Sequence, residues 1–147
     1  MTDQVTQNII VGDSLHNVFE QWTHVENFPN FIKGVESVQK SGEDKAQWRV
    51  KGENGTAVSF TTEVTRLEKD QRIAWHTISG DIKTSGQVTF TPLPHNETEV
   101  TVTLLVAPAE EGGEQTAQNF MPNPGKQLMQ ILRNFKAYVE DMPERID

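Results

Sequence analysis

Apolar residues alternate along the chain from position 35 to position 107, then recur three and four apart from Leu128 to Met142. That change of period is the strongest constraint in the sequence. Alternation gives a strand one apolar face, and 3.6-residue spacing gives a helix one apolar stripe. The alternating region divides at turn-forming residues into strands over 35–40, 47–51, 56–68, 72–79, 83–92 and 97–107. The punctuation is Ser41-Gly42-Glu43-Asp44, Gly52-Glu53-Asn54-Gly55, Glu68-Lys69-Asp70, Gly80-Asp81 and the stretch from Pro92 to Asn96. Short turns pair neighbouring strands antiparallel, as a meander. Val58, Phe60, Thr62 and Val64 share one face of their strand. Val100, Val102, Leu104 and Val106 share one face of another.

The segment after position 125 carries Leu128, Ile131, Leu132, Phe135, Tyr138, Val139 and Met142 on one side. This is an amphipathic helix of about four turns or more, ended by Pro143. A one-sided sheet and a one-sided helix cover each other. Ahead of the sheet, Val5, Ile9 and Val11 mark a first strand that Gly12 breaks. Asp13 and Ser14 can cap a short helix with Leu15, Val18, Phe19 and Trp22 on one face, ending near 21–24. Residues 26–33, with Phe28, Pro29, Phe31 and Ile32, read as one further turn with Pro29 near its start. The connection 108–125 holds Glu110, Glu111, Gly112, Gly113 and Glu114. It is either a mobile loop or contains a helical turn around 115–120. Pro122 and Pro124 hold the long helix back to about Gly125.

The 147 residues suit one domain, 1–147, and a chain of this size buries roughly 70% of its unfolded surface. The absence of cysteine excludes disulfides and thiolate chemistry. Lys+Arg total 13 against Asp+Glu 21, a net charge of −8. That balance argues against nucleic acid and anionic lipid surfaces as partners. No apolar run approaches the ~18 residues of a membrane span, and the first residues lack a signal peptide's basic and apolar regions. The expectation is a soluble, cytoplasmic protein without integral membrane association.

Strand parity places Trp48, Phe60, Trp75, Phe90, Val102 and Leu104 on the concave face, with Thr62 and Thr77 among them. The long helix aims Leu128, Ile131, Leu132 and Phe135 at that face. Arg49 and His76 fall on the opposite parity and read as outward, His76 within reach of Asp81. His16, His24, His76 and His95 form no ligand pattern, so neither a metal nor another cofactor is expected. Ser59, Ser79 and Ser85 lack a nucleophile elbow. The three loop glutamates lack the regular spacing of a calcium site. Trp22, Phe28 and Phe31 are read as covering one end of the sheet.

Several stretches carry a family likeness. They are Val18-Phe19-Glu20-Gln21-Trp22, Glu26-Asn27-Phe28-Pro29-Asn30-Phe31, Gly34-Val35-Glu36-Ser37-Val38, Gln47-Trp48-Arg49, Arg72-Ile73-Ala74-Trp75, Gly86-Gln87-Val88-Thr89-Phe90, Thr101-Val102-Thr103 and Leu132-Arg133-Asn134-Phe135-Lys136. From about residue 3 to 141 the chain resembles the START-like helix-grip (SRPBCC) superfamily, in its polyketide cyclase/dehydrase-like branch. The likeness implies an α+β helix-grip fold. A curved antiparallel sheet of about six to seven strands would wrap a long C-terminal helix, with two short helices after the first strand. It also implies an apolar cavity for a small hydrophobic ligand: a lipid, a quinone or a polycyclic, polyketide-like molecule. The insertion 110–125 departs from the family pattern, and a solvated connection explains it more simply than a lid. Two alternatives stand beside the binding reading. One is a cyclase/dehydratase-like enzyme using the same cavity. The other is a protein-interaction module using 22–31 or the acidic loop.

Overall fold

The computed structural model describes residues 3–51, 55, 57–108 and 123–141. The turn residues 52–54, the connection 109–122 with its glutamates and its suggested helical turn, and the end from Met142 lie outside these. The order is β1 (Asp3–Val11), α1 (Leu15–Thr23), a 3-10 helix η1 (Val25–Asn30), β2 (Val35–Lys40), β3 (Lys45–Lys51), β4 (Ala57–Glu68), β5 (Arg72–Gly80), β6 (Ile82–Leu93), β7 (Glu97–Pro108) and α2 (Pro124–Glu140). This is the α+β helix-grip architecture. One antiparallel sheet runs β1-β7-β6-β5-β4-β3-β2, so the first strand closes onto the last and β2 forms the far edge.

Local chemistry explains the helix boundaries. The Ser14 side chain accepts the Asn17 N–H at the start of α1, satisfying one of the helix's orphan donors. Pro124 occupies the first turn of α2, where its missing N–H costs nothing. The turn η1 begins at Val25 and ends at Asn30, with Pro29 near its end rather than its start. A proline is tolerated there because i→i+3 bonding in so short a piece leaves few bonds for it to break.

The sheet curls at three irregularities. One lies between Val35 and Ser37. One makes Ile78 an extra residue in β5, and one makes Thr65 an extra residue in β4. Each extra residue bends its strand and strengthens the local twist. The bulge at Thr65 also resets parity: Val64 pairs with Trp75, then Leu67 with Ile73, so Leu67 returns to the concave side.

The solid core lies where α1, η1 and the C-terminal half of α2 meet the sheet. Leu132 and Phe135 are fully buried there, with Val139 and Val100. Trp22 lies 4.8 Å from Phe135 between ring centroids, and Phe31 lies 5.2 Å from it. Phe19 packs edge-on against Phe90 at 5.3 Å. Aromatic pairs in these arrangements add about 0.5–1.5 kcal/mol each beyond area burial. Two polar contacts tie this half of α2 to β1. Lys136 Nζ donates to the Ile10 carbonyl at 2.9 Å, and the Gly12 N–H donates to Glu140 Oε2 at 2.7 Å. Lys136 also bridges to Glu140.

Burial pushes the Glu140 carboxyl up. The hydrogen bonds from Lys136 and Gly12, with the Lys136 charge, outweigh it and hold the group below its ordinary value of 4.5. A lowered carboxyl pKa contributes stability that is present above the ordinary value and lost as pH falls through the folded one. Two outcomes follow for urea unfolding. Phe135→Ala lowers stability by about 3–5 kcal/mol, the cost of a large void in a tight core. Glu140→Gln costs up to about 1 kcal/mol at neutral pH, as for an exposed pair, and the gap from the parent narrows as pH drops below 4.5.

Candidate functional site

Some inward-facing apolar side chains are not fully buried. Trp48, Val64, Trp75, Leu104 and Ile131 share the concave side with the core yet stay only half-buried. The surface they expose is the wall of a cavity of about 1240 Å³ between the curled sheet and the N-terminal half of α2. That exceeds the ~300–1,000 Å³ usual for small-molecule sites, which are likewise concave and mostly apolar.

Each wall has a structural reason. On β3 and β4, Trp48 stacks on Phe60 at 5.7 Å and 12°, and its Nε1 donates to Thr62 Oγ1 at 3.0 Å. That bond fixes the indole and satisfies its only polar group. Phe28 of η1 closes on Trp48 at 5.6 Å. Trp22, at the end of α1, borders the same space. Its buried Nε1 has no hydrogen-bond partner among the described residues. On the opposite wall, Trp75 pairs with Gly86 across β5 and β6. A Cβ at Gly86 would stand 2.2 Å from the Thr103 carbonyl and 3.0 Å from the Trp75 ring. The missing side chain therefore lets the indole lie flat over the sheet. Val88, Val102 and Leu104 continue this wall. Leu128 and Ile131 of α2 face it.

Of the side chains read from sequence as facing a cavity, Trp48, Phe60, Thr62, Trp75, Val102, Leu104, Leu128 and Ile131 border this one. Four others stand apart from it. Phe90, Leu132 and Phe135 are consumed by the solid core. Thr77 bonds with Thr84, its Oγ1 accepting the Thr84 N–H at 2.8 Å with the two hydroxyls 3.0 Å apart. It is Thr84, on the next strand, that borders the cavity. Trp22, Phe28, Ile73 and Val88 belong to the wall too. Ile73 and Val88 share parity with Trp75 and Phe90, so alternation contains them. Leu67 does not follow from alternation, because the Thr65 bulge reverses its side.

Among the described residues the ionisable groups bordering the cavity are Lys33, Glu36, Lys40, Glu43, Asp44, Lys45, Lys51 and Lys126, and all are exposed. Among the described residues the uncharged polar chemistry of the lining consists of threonine hydroxyls, indole N–H groups and the side-chain amides of Asn123, Gln127, Gln130 and Asn134. The histidines of the helices and strands sit outside it. His16 lies between Glu20 and Asp70, and His76 pairs with Glu63 at 3.4 Å. Asp81 accepts the Ser59 N–H and is not the partner of His76. Arg49 is exposed and pairs with Glu36. No helix among the described residues is long and apolar enough to cross a membrane. Changing Gly86 to Ala should cost about 1–3 kcal/mol by overpacking. It should also shift the tryptophan emission by displacing Trp75, as read by urea melts followed by fluorescence.

Comparison with known proteins agrees with this geometry. Residues 11–133 match the family described as polyketide cyclase / dehydrase and lipid transport. A 17.2 kDa uncharacterized protein of Streptomyces lincolnensis is 31% identical over 141 residues, covering 94% of this chain and 90% of that one. A START superfamily protein from Mycobacterium smegmatis superposes with a TM-score of 0.79 at 16% identity, covering 95% of this chain and 99% of that one. An aromatase/cyclase from Streptomyces sp. R1128 superposes with a TM-score of 0.78 at 14% identity, covering 95% and 94%. At such identities the two structural likenesses are likenesses of fold.

Proposed function

The chain belongs to the polyketide cyclase/dehydrase and lipid-transport family, and from that premise we propose that it binds a small hydrophobic ligand in the cavity between sheet and helix. The ligand classes that suit it are a lipid, a quinone or a polycyclic, polyketide-like molecule. One observation carries this reading: inward-facing Trp48, Trp75, Leu104 and Ile131 keep exposed apolar surface inside the fold. Apolar surface held open to water is unfavourable by about 25 cal/mol per Å². An apolar ligand removes that penalty without rearranging the wall.

The arrangement supports binding more than catalysis. A general acid or base must reach the reacting atom. The ionisable groups at the cavity lie in exposed positions, and among the described residues none is buried in the apolar wall. The likeness to an aromatase/cyclase is one of fold and assigns no residue here.

The test is native mass spectrometry and thermal shift after incubation with a total lipid extract. The reading expects a bound apolar species and a higher melting temperature, since a ligand that binds only the folded state stabilises it. It fails if no lipid, quinone or flavonoid either co-purifies or raises the melting point. Ile131→Trp should project an indole into the cavity from the helix side and narrow it. Ligand affinity should then fall at least about tenfold, because the wall residue now occupies part of the ligand's volume. The parent fold should be kept, as judged by circular dichroism.

A further inference from the structure

Charge is distributed unevenly over this molecule. Acidic residues outnumber basic ones by 21 to 13 in the whole chain. Among the described residues around the cavity the balance is the reverse: Lys33, Lys40, Lys45, Lys51 and Lys126 border it, against Glu36, Glu43 and Asp44. Glu36 is already held by Arg49 at 3.1 Å. None of the five lysines has an ion-pair or hydrogen-bond partner for its ammonium among the described residues. They are exposed, so they contribute little to holding the fold.

The backbone gathers them from separate segments. The Lys51 N–H donates to the Gly34 carbonyl at 2.8 Å, which seats Lys33 beside Lys51 at one end of the β2–β3 pair. Gly34 permits the approach, since its φ is +94° and a Cβ there would meet the Lys51 carbonyl at 2.5 Å. Lys40 and Lys45 flank the turn at the other end. Lys126 lies in the first turn of α2, which contains no acidic residue, so the partial positive charge of the helix start adds to the same sign. Among the described residues the cavity is therefore apolar inside, with more cationic than anionic groups around its border.

We infer that the ligand is an acidic amphiphile, with its apolar body against Trp75, Leu104 and Ile131 and a carboxylate or phosphate head among the border lysines. This rests on the binding reading above and narrows it. Exposed ion pairs are individually weak and salt-sensitive. Several together select the sign of the head group and speed its capture more than they tighten binding.

Four probes with one chain separate the possibilities: oleate, oleyl phosphate, oleyl alcohol and oleylamine, each titrated below its aggregation limit and followed by tryptophan fluorescence and native mass spectrometry. The acids should bind about tenfold tighter than the alcohol at low ionic strength, and the preference should shrink toward unity at about 0.5 M salt. A preference for oleate alone or for oleyl phosphate alone assigns the head group. Combining Lys33→Gln, Lys51→Gln and Lys126→Gln should abolish the preference while oleyl alcohol binds as before. Combining Lys69→Gln, Lys83→Gln and Arg133→Gln removes the same charge away from the cavity and should leave the preference intact. Equal binding of all four probes, a preference for oleylamine, or an acid preference that survives the first set overturns the inference and leaves the cavity reading standing. Failure of every probe, the alcohol included, removes both.

Discussion

One helix cannot fill a seven-stranded sheet that curls around it, and the rest of this structure follows from how that mismatch is placed. The C-terminal half of α2 meets bulky partners, with Trp22 and Phe31 around Phe135, Tyr138 against Phe31, and the Lys136 and Glu140 contacts to the end of β1. There the interior is solid. The N-terminal half of α2 presents Leu128 and Ile131 to a wall that no other element among the described residues covers, and the interior there is hollow. Dense packing in one half supplies the stability that allows the other half to stay open.

The hollow half is held open by rigid features. The Trp48–Thr62 hydrogen bond and the Trp48–Phe60 stack fix one wall. Gly86 lets Trp75 lie against the other. The bulges in β4 and β5 bend the sheet enough to form a trough. A pre-formed apolar space of this kind binds without a large ordering cost, which is where much affinity is otherwise lost.

Much of the fold was legible in the residues. Alternation located the strands of the meander to within a residue or two, and the 3.6 spacing located α1 and α2. Local signals sufficed because Gly, Pro and Ser mark the boundaries chemically. The cavity was legible only in part. Parity gave the facing of Phe90 and Trp75 alike, yet Phe19 packs against one and empty space faces the other. Alternation states which side a residue faces, and says nothing of what stands opposite. The same limit hid Leu67, which a bulge turned inward. It also hid the lysines, which separate segments bring to one border.

Whether an apolar chain occupies the hollow half is decided by a crystal structure of the protein grown with an ω-bromo fatty acid, with the bromine located by its anomalous signal. A bromine peak is expected inside the fold among Trp75, Leu104 and Ile131, with those side chains where they stand here. A structure in which the three side chains touch one another and no bromine lies among them would contradict it.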